Sequence, residues 1–186
     1  NADRSFKVAV NEVNEVPVLA AVADQTVNEG TPLSLTLTAT DADLPAQTLT
    51  FSKVSGPEGL SVSANGQLTW TPTEAQGPST NTVTVRVSDG VANADRSFKV
   101  VVKEVNEVPV LAAVTDQTVN EGTLLSLALT ATDADLPAQT LTFSKVSGPE
   151  GLSVSANGQL TWTPTEAQGP STNTVTVRVS DGVANA

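Results

Sequence analysis

A stretch of 94 residues occurs twice in this chain: Asn1 to Ala94 returns as Asn93 to Ala186, offset by 92 positions and with five substitutions. The differences are mild (Ala9/Val101, Asn11/Lys103, Ala23/Thr115, Pro32/Leu124, Thr36/Ala128), so both copies must take one fold and present nearly one surface. Solenoid repeats run to about 20 to 50 residues, and a period of this length instead fits whole domains strung as beads.

Within each copy the hydrophobic period is two. In Leu33 to Thr40 apolar residues alternate with hydroxyls, and Thr82 to Ser88 repeats the pattern with valines inward, the signature of half-buried antiparallel strands. Pro17 to Val22, Thr48 to Lys53, Leu60 to Ser63, Gln67 to Trp70 and Asp95 to Val102 are further expected strands. Turn signals separate them at Asn28-Glu-Gly30, Gly56-Pro57, Asn65-Gly66, Gln76-Gly-Pro78 and Asp89-Gly90. Seven strands in about 90 residues predict an all-β, immunoglobulin-like Greek-key sandwich in which two sheets share one core. The expected organisation is the last strand and linker of a preceding repeat over 1–13, repeat 1 over 14–105, and repeat 2 over 106–186 without its final strand. Trp70 and Trp162 fall in phase with Leu68 and Leu160 and are expected between the sheets, and Phe6, Phe51 and Phe98 also fit inward phases.

Composition removes several functions. Twenty acidic against nine basic residues, a net charge of −11, repel nucleic acid and anionic lipid. With neither Cys nor His, thiolate and imidazole metal sites and His-dependent triads are excluded, leaving hard oxygen ligands. No apolar run reaches the length of a membrane-spanning helix, so direct membrane insertion is not expected. Catalysis is not expected either, because the carboxylates lie at the ends of the modules and no aromatic-lined cleft is evident. A Lys–Asn isopeptide through Lys53 or Lys99 would need a buried lysine, and both alternate with inward residues.

If strands run up and down a sandwich, connections fall alternately at its two ends, and this sorts the acids. Asp41, Asp43 and Asp89 are expected at the leading end with the entering segment Glu12, Asn14 and Glu15, and Glu29 and Glu74 at the trailing end. A junction between the repeats then gathers Glu29, Glu74, Glu104, Asn106, Glu107, Asp133, Asp135 and Asp181, with Glu121 and Glu166 left as a half set at the C-terminal side. Seven carboxylates on one seam repel unless splayed into water or neutralised by cations.

Residues spread over the whole repeat resemble cadherin-like domains of the dystroglycan type and the bacterial immunoglobulin-like repeats found in tandem in large surface or secreted proteins. Asn28-Glu-Gly30 looks like the early Glu motif of that family, Asp41-Ala-Asp43 like its Asp-x-Asp, and Thr71-Pro-Thr-Glu74 like its later acidic motif. Glu104-Val-Asn-Glu-Val-Pro109 is similar to its linker, one residue shorter and with Glu for Asp. The resemblance implies calcium held by the junction set and a rod stiffened by it, that is, stalk or spacer repeats of an extracellular bacterial adhesin or filament. Partners expected on this reading are neighbouring repeats or copies of the chain itself, joined head-to-tail by donation of the spare strand Asp3 to Val10. The alternative is a carbohydrate-binding module of a secreted polysaccharide-degrading protein, with glycan as partner.

Overall fold

Alternating Thr and Val, stiff about χ1 and suited to a pleated surface, give Thr82 to Ser88 one apolar and one wet face. In the computed structural model, which describes residues 3–186, this stretch lies within a ten-residue strand. The chain divides between Glu104 and Val105 into two units.

Unit 1 contains β1 (Val18–Leu19), β2 (Gln25–Asn28), β3 (Leu33–Thr36), β4 (Ala39–Thr40), β5 (Thr50–Ser55), β6 (Ser61–Val62), β7 (Gln67–Trp70), β8 (Ser79–Ser88) and β9 (Asn93–Lys103), with a single 3-10 turn over Glu74–Gln76. One sheet has the order β2-β9-β8-β5, the other β3-β7-β6, and β1 pairs with β4. Neighbours are antiparallel except β2 and β9, which run parallel with Gln25 opposite Val100 and Asn28 opposite Lys103. Leu33, Leu68 and Trp70 from one sheet pack with Val83, Val85, Phe98 and Val100 from the other in one buried cluster. Each such side chain is worth about 1.5–3 kcal/mol relative to exposure. Trp70 Nε1 donates to Glu58 O at 3.1 Å, so the indole is both buried and satisfied, as the strand phase predicts.

Several expectations are corrected. Leu33 to Thr40 is two strands, because Leu37 N donates to Gly66 O at 2.8 Å and the chain passes from β7 to a pairing with β1. Gly66 permits that approach: at φ +90, a Cβ there would lie 2.7 Å from Leu37 O. The expected strand Pro17 to Val22 contracts to β1. Asp3 to Val10 forms no strand, and Phe6, expected inward, is 87% exposed.

Unit 2 contains β10 (Val110–Leu111), β11 (Leu125–Ala128), β12 (Ala131–Thr132), β13 (Thr142–Ser147), β14 (Ser153–Val154), β15 (Gln159–Trp162) and β16 (Thr176–Ser180), with a 3-10 turn over Glu166–Gln168. It has no counterpart of β9 among the described residues. Residues 117–120, identical in sequence to β2, form no strand, and β16 is half the length of β8. Pairing along this edge stops at Val179 N donating to Ala186 O and Ala186 N to Val179 O, at 2.9 and 3.0 Å. That is the register of Val87 with Ala94 in unit 1. Val83 is 0% exposed and its counterpart Val175 37%. No helix of the described residues is long and apolar enough to cross a membrane.

Candidate functional site

The turn after β4 begins with Asp41-Ala-Asp43, and the hairpin from β8 to β9 contains Asp89. Short polar side chains favour such turns because they accept from backbone N–H groups two or three residues on. Asp41 Oδ1 accepts from Asp43 N at 3.0 Å, and Asp89 Oδ1 accepts from Val91 N and Ala92 N at 2.7 and 2.6 Å. Fixing one oxygen of each carboxylate leaves the other to point elsewhere. Oxygens of Asp41, Asp43 and Asp89 lie within 4.8 Å of one another.

The entering segment closes over this group. Glu15 N donates to Asp43 Oδ1 at 2.9 Å, and Asn14 Nδ2 donates to Asp89 Oδ2 at 3.0 Å. Gln47 Nε2 donates to Asn14 Oδ1 at 2.9 Å. Asp43 is left 6% exposed, and Asp41 Oδ2, Asp43 Oδ2 and Gln47 Oε1 are shielded from solvent without a hydrogen-bond partner. No Lys or Arg pairs with Asp41, Asp43 or Asp89 among the described residues. Buried oxygens left in this way cost several kcal/mol in aggregate. The site therefore offers only acceptors, concentrated and negative, which is the donor set of a hard divalent cation.

Unit 2 repeats the arrangement. Asp133, Asp135 and Asp181 approach within the same limit, Glu107 N donates to Asp135 Oδ1 at 2.8 Å, Asn106 Nδ2 to Asp181 Oδ2 at 3.0 Å, and Gln139 Nε2 to Asn106 Oδ1 at 2.9 Å. Asp135 is 2% exposed, and Asp133 Oδ2, Asp135 Oδ2 and Gln139 Oε1 have no hydrogen-bond partner. Asp89 is held below the usual carboxylate range by hydrogen bonds from Ala92 N, Val91 N and Asn14, against the opposing effect of desolvation. At Asp181 desolvation acts upward and is outweighed by Ala184 N, Asn106 and Val183 N, so the net shift is again downward. Glu12 moves the other way: desolvation and then the charge of Asp43, with smaller effects of Asp41 and Glu15, push it up.

A second group in unit 1 consists of Glu29, Glu74 and Glu104, their oxygens again within 4.8 Å. Glu29 is buried, its carboxylate lying over Gly77, where a Cβ would meet it. Asp89 precedes β9 and Glu104 follows it, so the two groups of unit 1 lie about 35 Å apart at the rise of an extended strand.

Within each unit the expected residues fall into groups. Asp41, Asp43, Asp89 and Asn14 come together, as do Asp133, Asp135, Asp181 and Asn106, and as do Glu29, Glu74 and Glu104. Glu15 and Glu107 take part through backbone N–H and not through their carboxylates, which are exposed. Glu121 and Glu166 are exposed and belong to no three-carboxylate group among the described residues. Gln47 and Gln139 were missed by the sequence reading; a glutamine four residues beyond Asp-x-Asp is the signal, and it is a weak one. Lys53 and Lys99 are exposed, so neither is placed for an isopeptide.

Comparison with known proteins gives the family and the fold. Residues 14–102 and 106–186 each match the bacterial Ig domain. Chitinase A of Pseudoalteromonas piscicida is 35% identical over 108 residues, covering 57% of this chain and 13% of that enzyme. Among solved structures, Drosophila N-cadherin EC1-4 has a TM-score of 0.56 at 12% identity, over 93% of this chain and 48% of that one. Human protocadherin-24 EC1-2 has 0.54 at 19% identity, over 88% and 86%.

Proposed function

The chain belongs to the bacterial Ig domain family, and from that premise we propose that its units are extracellular spacer repeats of a bacterial surface or secreted protein, stiffened by calcium. The observation that carries the calcium reading is the pair of buried carboxylates Asp43 and Asp135, each with an oxygen that no donor reaches. Calcium would be held by Asp41, Asp43, Asp89 and Gln47 in unit 1 and by Asp133, Asp135, Asp181 and Gln139 in unit 2. Glu29, Glu74 and Glu104 would supply a further set of oxygen ligands in unit 1. The ion supplies charge neutralisation and multidentate coordination. The residues of the chain supply oxygen spacing and, through Asn14 and Asn106, a hold on the segment leading into each unit. A carboxylate cage that repels itself when empty of cations and locks when filled acts as a stiffener.

Calorimetric titration with calcium, followed by thermal melting with and without chelator, tests the proposal. Extracellular modules bind with dissociation constants of about 10⁻⁴ to 10⁻³ M, and a hundredfold ligand excess stabilises by about 2.7 kcal/mol. Asp133→Asn with Asp135→Asn keeps an oxygen to accept from Glu107 N and should remove the response of unit 2 while it stays folded. Absence of heat, together with melting indifferent to chelator, would sink the calcium reading.

Similarity to Chitinase A favours a second reading of the parent protein, as a secreted polysaccharide-processing enzyme in which these repeats are accessory modules. On that reading, the purified chain is retained on chitin or on a glycan array. Both tryptophans are buried, so a sugar-stacking surface would have to come from elsewhere.

A further inference from the structure

The segment entering each unit ends on a fully buried proline, Pro17 or Pro109, and just before it stands an asparagine whose amide has no freedom of direction. Asn14 Nδ2 donates both of its hydrogens, to Glu15 O at 2.7 Å and to Asp89 Oδ2 at 3.0 Å. A backbone carbonyl and an ionised carboxylate only accept, so turning the amide over would set oxygen against oxygen twice. Asn14 Oδ1 therefore faces the other way and needs a donor, which Gln47 Nε2 supplies at 2.9 Å. A glutamate at position 47 would have the same length and, once ionised, no proton to give. In unit 2 the same directions hold: Asn106 Nδ2 donates to Glu107 O at 2.6 Å and to Asp181 Oδ2 at 3.0 Å, and Gln139 Nε2 donates to Asn106 Oδ1 at 2.9 Å.

We propose that this one-way chain, Gln47 to Asn14 to Asp89 and Gln139 to Asn106 to Asp181, is a latch that holds the entering segment on its own unit without any cation, with Gln47 and Gln139 as its positioning residues. Three places distant in sequence meet in it: the entering segment, the connection from β4 to β5, and the hairpin from β8 to β9. Next to the latch, Glu15 N and Glu107 N donate to Asp43 Oδ1 and Asp135 Oδ1, so the latch also keeps those carboxylates covered. A cation neutralises the carboxylates when it binds, and the latch sets where the segment lies before one arrives. In unit 2 it assigns the linker from Asn106 onward to the unit it enters, in keeping with the division of the chain between Glu104 and Val105.

The test is amide hydrogen exchange of the 186-residue chain in chelator, read at Glu15 and Glu107. In the parent both amides should exchange more slowly than in an unfolded chain. Gln47→Glu should speed exchange at Glu15 by about tenfold or more, the scale of a lost buried hydrogen-bond partner, and leave Glu107 unchanged as an internal control. Gln47→Met, with neither donor nor charge, should do the same, which separates the lost donor from the added charge. Asp89→Asn should also speed it: Val91 N and Ala92 N keep the amide oxygen of the new side chain, and its nitrogen is set against Asn14 Nδ2. Combined with Gln47→Glu, however, Asp89→Asn lets Asn14 turn over and both side-chain bonds of the latch run in reverse. The double variant should therefore exchange more slowly at Glu15 than each single one, though faster than the parent, because Asn14 then loses Glu15 O. Independent structural roles predict added losses instead. A parent whose Glu15 amide exchanges as in an unfolded chain, a Gln47→Glu or Gln47→Met variant that matches the parent, or a double variant not slower than each single one overturns the proposal. With chelator present throughout, a failure to bind calcium would remove the calcium reading and leave the latch standing.

Discussion

Asp89 shows how one side chain can hold a turn and a candidate ion site together. Its Oδ1 takes two backbone N–H groups and its Oδ2 takes Asn14 Nδ2. Asp89→Ala should cost about 1–3 kcal/mol, the loss expected when buried donors go unsatisfied, measurable by urea denaturation in chelator. The depressed pKa of Asp89 and Asp181 also sets an acid limit. A carboxyl with a lowered folded-state pKa contributes stability that is complete above its unfolded value, about 3.9, and is lost as pH falls through the folded one. Glu12 acts with the opposite sign: desolvation first, and then the charge of Asp43, raise its pKa, so folding favours its protonated form. Acid titration by tryptophan fluorescence should therefore show stability falling below about pH 4 in the parent, and a shallower fall in Asp89→Asn. Position along the repeat sorted Asp41, Asp43 and Asp89 apart from Glu29 and Glu74, but gave no sign of burial. Asp43 and Asp135 look like ordinary turn residues in Asp-Ala-Asp, and they are buried only because Glu15 and Glu107 bring distant backbone across them.

At the scale of elements, the two units compare nearly one sequence with and without a final strand. Residues 25–28 and 117–120 both read Gln-Thr-Val-Asn, yet only the first is a strand, because only the first has β9 beside it. No local pattern could have revealed β2: a single valine lies in it, and its partner comes 75 residues later. The alternating runs of β3, β7, β8 and β9 were legible because each carries its own inward and outward faces. The length of β8 was not, since its first residues pair only with the end of β9. Thirteen apolar residues are buried in the first core and three in the second, so unit 2 should unfold first. At about 1.5–3 kcal/mol for each fully buried side chain and 4–8 °C per kcal/mol for a domain of this size, the gap should exceed about 10 °C. Trp162→Phe leaves the only indole in unit 1 and Trp70→Phe leaves it in unit 2, so fluorescence melting of the two variants reads the transitions separately. Coincident transitions would contradict the difference in core size.

For the whole molecule, charge governs the response to solvent. A net charge of −11 destabilises compact states by self-repulsion, and at about 0.1 M salt charges more than roughly 10 Å apart are screened. Sodium chloride should therefore raise both melting temperatures gradually. On the calcium proposal, calcium at equal ionic strength should raise them further, because an ion shared by oxygens within 4.8 Å neutralises them more than a diffuse atmosphere does. Equal shifts from the two salts would mean that only screening operates. The pairing of β2 with β9 also sets an order of events in time. β9 is the last strand of its unit and holds both β2 and β8, so a repeat synthesised from its N-terminus stays open until its final eleven residues have been made. At about 5–20 residues per second that interval is roughly one second. In a tandem array, closure then proceeds along the nascent chain one repeat at a time, each repeat shutting as the linker to the next is being made.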